Sequence, residues 1–230
     1  MFKLCLYANI ILVCVGMQAH RKNVALNKPC GSSSRHSESE SCSGAVNGND
    51  GTFYDPSEPW INCIHTDFND LKPFWWVDLG QEFTLNTITI YGRASFIKRM
   101  KCVNVSVDGK VIKRFDDLSG WTNDTYDIRA AIKGRVINIT KDCDSEGTML
   151  NICEVQVWVC NDGWYGNCSM TCGPCADGSV CDKINGKCAN CKMGFQPPHC
   201  KESKRVSERQ REGVKKEVRK TERKSRGRQR

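Results

Sequence analysis

Between residues 75 and 159 the chain alternates apolar and polar side chains with a period of two. Trp75-Trp76-Val77-Asp78-Leu79, Leu85 through Tyr91, and Val103-Asn104-Val105-Ser106-Val107 carry the pattern, rich in β-branched residues. Lys110-Val111-Ile112, Arg135 through Ile139 and Val155 through Val159 continue it. Successive side chains leave a pleated strand on opposite faces, so this pattern predicts half-buried strands. Asp108-Gly109 between two such runs predicts a hairpin, and Leu118 to Asp127 reads as a turn-rich connection. No stretch of any length carries helical periodicity. The prediction is an all-β, antiparallel sandwich.

The first residues do not fit that pattern. Met1-Phe2-Lys3 is followed by an apolar run from Leu4 to Gly16 and small residues up to Ala19. This is the layout of a secretory signal peptide over residues 1–19. No later segment reaches the roughly 20 apolar residues that a transmembrane helix needs. Cysteine supports the secreted reading: of 16 cysteines, Cys5 and Cys14 lie in the leader, and the remaining even set suits a disulfide framework in an oxidising compartment. Four sequons, at Asn104, Asn123, Asn138 and Asn167, are candidate glycosylation sites.

Cysteine density and charge then divide the chain. Residues 23–159 hold six cysteines and are long enough for one hydrophobic core; residues 160–200 hold eight and must be stapled. Residues 201–230 hold 14 Lys+Arg against 5 acids, so the whole basic excess of the chain lies there. That tail has too little apolar content to bury a core and reads as disordered. It is a candidate surface for heparan sulfate or other anionic surfaces, and secretion argues against nucleic acid as its partner. The expected organisation is a sandwich over 20–160, a small disulfide-rich module over 161–200 and a basic tail over 201–230.

Several separated motifs of the first region occur in a familiar order. Asn23-Val-Ala-Leu-Asn-Lys-Pro29, Ala45-Val-Asn-Gly48, Cys63-Ile-His65-Thr66, Phe74-Trp-Trp-Val-Asp-Leu-Gly80, Ile88-Thr-Ile-Tyr91 with Arg93, and Cys153-Glu-Val-Gln-Val157 resemble the F-type lectins. This is the fucolectin, tachylectin and pentraxin-like family of fucose binders, built on a β jelly roll of the discoidin and galactose-binding kind. The resemblance implies a sugar site of His65, Arg93 and Arg99. An arginine fork suits vicinal sugar hydroxyls. The chain departs from the family pattern in four ways. His65 to Arg93 is one residue longer than usual, Arg93 to Arg99 one shorter, and Ser95 stands where an acid is expected. Phe96-Ile97 replaces an adjacent cysteine pair, and Phe96 becomes the candidate apolar contact.

The resemblance also implies a calcium ion held by Gly44, Asn47, Asn49, Asn62, the Cys153 carbonyl and Glu154. Asn47 replaces a family Asp, so Glu154 is the one charged ligand, and fewer carboxylates mean weaker calcium binding. It implies a Cys63–Cys153 bridge, with Cys30–Cys42 and Cys102–Cys143 as the pairs that remain.

The second region, with Gly163-Trp-Tyr-Gly166 and its ladder of Cys160, Cys168, Cys172, Cys175, Cys181, Cys188, Cys191 and Cys200, resembles EGF-like repeats of the multiple-EGF and scavenger-receptor type. One pairing consistent with that likeness is Cys160–Cys168, Cys172–Cys181, Cys175–Cys188 and Cys191–Cys200; a laminin-type pairing competes. Cys172-x-x-Cys175 and Cys188-x-x-Cys191 also have zinc-knuckle spacing, but secretion favours disulfides.

Nothing points to catalysis. Beyond the leader only His36, His65 and His199 remain once His20 at its boundary is set aside, and no nucleophile elbow, phosphate loop or metalloprotease helix occurs. The resemblance implies a secreted, calcium-supported lectin for fucose or a related terminal sugar, acting in glycan recognition, innate immunity or adhesion. The alternative is an adhesion or receptor-ectodomain fragment whose jelly roll is only a scaffold, with the EGF-like module as protein contact. A third reading is discoidin-like membrane contact through Phe53, Tyr54, Trp60 and Phe96.

Overall fold

A computed structural model describes residues 20–37, 41–53, 63–143 and 147–203, together with the short strand pair β1 (Leu6–Tyr7) and β2 (Ile10–Ile11). The rest of the leader, Asn62, Tyr54, Trp60 and the basic tail beyond residue 203 lie outside the described residues. The chain divides into two compact units after Cys160.

The first unit is built from antiparallel strands: β3 (Arg21–Asn23), β4 (Cys30–Ser32), β5 (Ile64–His65), β6 (Phe74–Gly92), β7 (Val103–Val107), β8 (Lys110–Phe115), β9 (Thr125–Lys141) and β10 (Asn151–Cys160). They pair in the order β3-β10-β6-β9-β7-β8, with β4 added beside β6 and β5 beside β10. The alternating runs supply the core. Trp75, Val77, Leu79, Val103, Val105, Ile137, Ile139, Val155 and Val157 all turn inward and are buried. Each such side chain contributes about 1.5–3 kcal/mol relative to exposure. Asp108-Gly109 forms the expected β7–β8 turn, with both residues at positive φ (48° and 80°), as a tight primed turn requires.

One expectation changes. The runs at 75–79 and 85–91 are not separate strands but one long strand, β6, which pairs with β9 on both sides of a register shift between Asp78 and Phe83. Gly80 sits there at φ 87°, its N–H donating to Asp78 Oδ1 at 2.8 Å. The Gly-Gln-Glu step that resembles a strand end is therefore a bend that carries β6 onward. Among the described residues, helix is limited to short 3-10 turns at Cys42–Val46, Ala94–Met100 and Ala176–Gly178.

A second irregularity matters more for the site. The β10–β6 register shifts between Ile152 and Glu154. Such a bulge interrupts the in-out alternation, and Asn151, Ile152, Cys153, Glu154 and Val155 are all buried in succession. Two polar side chains of β10 are thereby drawn into the interior end of the sandwich. The disulfides of this unit are Cys30–Cys42, Cys63–Cys153 and Cys102–Cys143.

The second unit has a core of Tyr165 and buried cysteines, with Phe195 packed on it and, among the described residues, a minimal hairpin of β11 (Trp164–Tyr165) and β12 (Met170–Thr171). Cys172–Cys181, Cys175–Cys188 and Cys191–Cys200 are bridged, and Cys160 and Cys168 are also disulfide-bonded. Packing is so close that a Cβ on Gly173 would lie 2.2 Å from the His199 carbonyl oxygen.

Candidate functional site

Strand β5 pairs with the start of β10, placing His65 opposite Asn151. Strand β6 ends at Gly92, and Arg93 opens the 3-10 segment Ala94–Met100, which the buried Met100 anchors to the core. The buried Lys141 donates from Nζ to the Arg99 carbonyl at 2.7 Å, fixing the backbone of this segment. The Arg99 guanidinium then reaches across: Nη1 lies 2.6 Å from Asn151 Oδ1 and 3.1 Å from His65 Nε2.

This geometry settles the state of His65. A guanidinium only donates, so Nε2 must accept and the ring proton sits on Nδ1, which donates to the Thr66 carbonyl at 2.5 Å. Burial pushes the imidazole pKa down to about 4; the Thr66 carbonyl opposes this, while Arg99, His36 and Arg93 add to it. His65 is 6% exposed and neutral at physiological pH.

A stability effect follows. An unfolded histidine takes a proton near pH 6.5, and the folded site refuses it until about pH 4. Protons therefore favour the unfolded chain across that window, and stability falls as pH drops through it, by ~3 kcal/mol in all. Calorimetric melts of wild type and His65→Gln at pH 7 and pH 4.5 test this. The wild type should lose more stability on acidification than the variant, and parallel losses would contradict the assignment.

Arg93 joins the cluster by a different route. Its guanidinium lies over the Phe96 ring at 4.6 Å, and that of Arg99 over the same ring at 4.2 Å. Such contacts favour cations over aromatic faces. The ring, read from sequence as an apolar contact for a ligand, also supports two arginines, and 39% of it stays exposed. Residues 94–99 line a cavity of about 500 Å³, with Ser95 in its wall, within the size range of small-ligand sites.

Three residues absent from the sequence reading of this site complete it. Asn151 holds Arg99. His36 and Phe68 stand against His65, with ring centroids 4.9 and 5.2 Å away. The His36 N–H also donates to the His65 carbonyl at 2.8 Å. Nothing in the Ser-rich loop around His36 signals this proximity, which depends on how two loops pack.

The second candidate cluster lies where the 3-10 turn Cys42–Val46 packs on β10. Gly44 is buried there, and Asn47 follows the turn as its cap. The Asn47 and Asn49 side-chain oxygens accept from the N–H groups of Asn49 and Gly51, at 2.8 and 3.0 Å. Glu154 is fully buried; its Oε1 accepts from the Gly48 N–H at 3.1 Å, whereas Oε2 has no hydrogen-bond partner among the described residues. Burial pushes this carboxyl up to about 8, against the pull of the Gly48 and Asn47 N–H groups. A buried carboxylate oxygen lacking a donor suits a cation. Among the described residues no three acidic, His or Cys side chains gather as a metal cluster, so carbonyl and amide oxygens would have to supply most of the shell.

Of the apolar tips considered for membrane contact, Phe53 is 75% exposed. Among the sequons, the Asn104 side chain joins an exposed network with Asp142 and Arg114, Asn138 lies within β9, and Asn123 and Asn167 are exposed in loops.

No family model and no curated protein matches the chain. Solved structures do. The lectin domain of lectinolysin complexed with Lewis B antigen is 24% identical at a TM-score of 0.50, covering 59% of this chain and 95% of that one. A fucolectin from striped bass (Morone saxatilis) serum is 23% identical at a TM-score of 0.50, covering 60% of this chain and 47% of that one. The first unit has the jelly-roll β-sandwich fold of these structures. At such identities the likeness concerns architecture: a two-faced antiparallel sandwich of the kind these modules share, with His65 at the end of β5 and Arg99 on the 3-10 segment that follows β6. Folds of this kind host many functions, so the chemistry must come from the side chains.

Proposed function

We propose that this protein is a secreted lectin whose jelly roll binds terminal fucose or a related sugar, with a calcium ion supporting the site, in glycan recognition, innate immunity or adhesion. The observation that carries the reading is the convergence of a neutral His65 acceptor and the Arg99 donor fork, 3.1 Å apart, beside a cavity lined by the 94–99 segment. A sugar hydroxyl would accept from the Arg99 guanidinium, which the His65 acceptor and Asn151 hold in place. Arg93 and the exposed part of Phe96 would supply a second donor and an apolar patch for a sugar methyl group.

Glu154, the carbonyls of Gly44 and Cys153, and the amides of Asn47 and Asn49 would hold the calcium. The ion's role is structural: it would fix the 42–49 turn against β10, the strand that supplies Asn151. Glu154→Gln keeps the shape and removes the charge, so calcium affinity should fall on the order of 10–100-fold, read by isothermal titration with calcium alone. An unchanged affinity would move the ion elsewhere.

The decisive experiment is a glycan array with the disulfide-intact protein, in calcium and in chelator. Calcium-dependent binding to fucosylated glycans supports the proposal. Silence across the array from a folded sample sinks it.

A further inference from the structure

Three strands of the sandwich present a second face, turned away from the core. Trp75 and Val77 of β6, Ile137 and Ile139 of β9, and Val103, Val105 and Val107 of β7 are buried. The residues between them therefore stand on the opposite side of the sheet. The register sets Trp76 beside Asn138 and Asn138 beside Ser106; in the next row Phe74 lies beside Thr140 and Thr140 beside Asn104. Asn138-Ile-Thr140 and Asn104-Val-Ser106 are both sequons. Alternation thus puts the asparagine and the hydroxyl residue of each on this one face.

The two asparagines differ in what holds them. Asn104 is engaged at both ends of its amide: Nδ2 donates to Asp142 Oδ2 at 3.0 Å, and Oδ1 accepts from Arg114 Nη1 at 3.2 Å. In Asn138 it is Oδ1 that is covered, without a hydrogen-bond partner among the described residues, which leaves Nδ2 as the open end of the amide. Asn138 also has aromatic neighbours. Trp76 is its direct partner on β6, and Phe74, 37% exposed, is the diagonal one, a separation of about 7–8 Å that a large side chain spans. The Trp76 indole lies against Gly31 of β4, where an added Cβ would come within 2.7 Å of its Nε1. Strand β4 therefore brings no side chain over the ring at that point. The C–H face of a sugar ring packs well on such aromatic surface.

We infer that Asn138 carries an N-linked glycan whose first N-acetylglucosamine ring packs on Trp76 and Phe74, making this face of the sandwich a glycan-covered surface. In the transfer, Nδ2 loses a proton and bonds to C1 of that sugar. The C1–O bond to the pyrophosphate of a lipid-linked oligosaccharide donor breaks, and the lipid pyrophosphate leaves with the electron pair. The transfer reads the sequon on the unfolded chain. The fold then supplies what the sequon does not, an outward amide beside aromatic surface that the first sugar covers. The inference rests on the secreted part of the proposed function and is independent of sugar binding at His65.

The test uses the full chain expressed in eukaryotic cells, with its glycans mapped by peptide mass spectrometry and its melting followed by calorimetry. Wild type, wild type trimmed enzymatically to one N-acetylglucosamine per site, and Asn138→Gln are compared, each with and without Phe74→Ala. Asn138 should be occupied. Trimming should leave the melting temperature unchanged, because the first ring alone meets the aromatic residues, whereas Asn138→Gln should lower it by about 3–5 °C. In the Phe74→Ala background that loss should shrink to about half. A bare Asn138 in a chain glycosylated at another sequon overturns the inference. So does a loss of equal size with and without Phe74, or a loss on trimming as large as that of Asn138→Gln. A chain retained in the cytosol with all its sequons bare overturns the secreted reading itself and removes this one with it.

Discussion

Arg99→Ala should weaken sugar binding by about 100-fold or more while the jelly roll stays folded. The side chain makes the two hydrogen bonds that organise the site, to Asn151 and His65, and lies over Phe96. Charge-assisted hydrogen bonds are each worth about 1.5–3 kcal/mol, so a guanidinium that gave two of them to a bound sugar, as the proposed function requires, would account for the size of the effect. The fold survives because the tie to the core is made by the Arg99 carbonyl, which Lys141 holds and alanine retains. The variant also carries an internal signature. Arg99 is one of the cationic neighbours that keep His65 unprotonated; without it the imidazole pKa should rise, which nuclear magnetic resonance titration of the ring would register. Arg99→Lys should fall between, because it keeps the charge and loses the planar fork. Binding within twofold of wild type in Arg99→Ala would remove this residue from the site.

The second large effect concerns the clasp between β5 and β10. Cys63 and Cys153 are both buried and lie 90 residues apart in sequence. Cross-links stabilise chiefly by restricting the unfolded chain, more so for longer loops, so this bridge is worth ~4.6 kcal/mol in the chain-entropy account. The Cys30–Cys42 bridge, with a separation of 12, is worth ~3 kcal/mol on the same basis. The double variant Cys63→Ser with Cys153→Ser should therefore melt roughly 15–20 °C lower than wild type. The Cys30→Ser, Cys42→Ser pair should cost visibly less. The long bridge also pins β5 opposite Asn151, so its removal should degrade sugar binding at temperatures where the domain is still folded. Equal melting losses for the two pairs would mean that local strain or residual structure, not loop length, sets their value.

Much of the architecture is written in the alternation. Strand β7, the Arg135–Ile139 part of β9, the Val155–Val159 part of β10 and the Asp108-Gly109 turn follow from local pattern alone, because period two and turn chemistry are local properties; the first half of β9 does not, since it starts at Thr125 inside the stretch read as a turn-rich connection. The continuity of β6 through Gly80 does not, since a glycine beside polar residues signals an ending unless a partner strand carries the ladder past it. The site divides in the same way. His65, Arg93 and Arg99 stand out through motif spacing. Asn151, His36 and Phe68 do not, because their roles come from contacts between segments distant in sequence: the β10 bulge, and the Ser33 and Ser34 hydroxyls meeting Asp70. Phe96 shows a subtler limit. Its type suggests an apolar surface, and only the positions of the two guanidinium groups reveal what it supports.

The β3–β10 pairing has a consequence for how such a unit can be used. Arg21 is the register partner of Cys160, so the first and last strands of the sandwich run side by side in opposite directions. The two points at which the backbone enters and leaves the unit are neighbours across a single ladder. A unit with that geometry can be spliced into a surface loop of another protein, or duplicated in tandem, with little change in the spacing of its host. Modules built this way are portable, and where one binds a ligand, avidity grows by repetition rather than redesign.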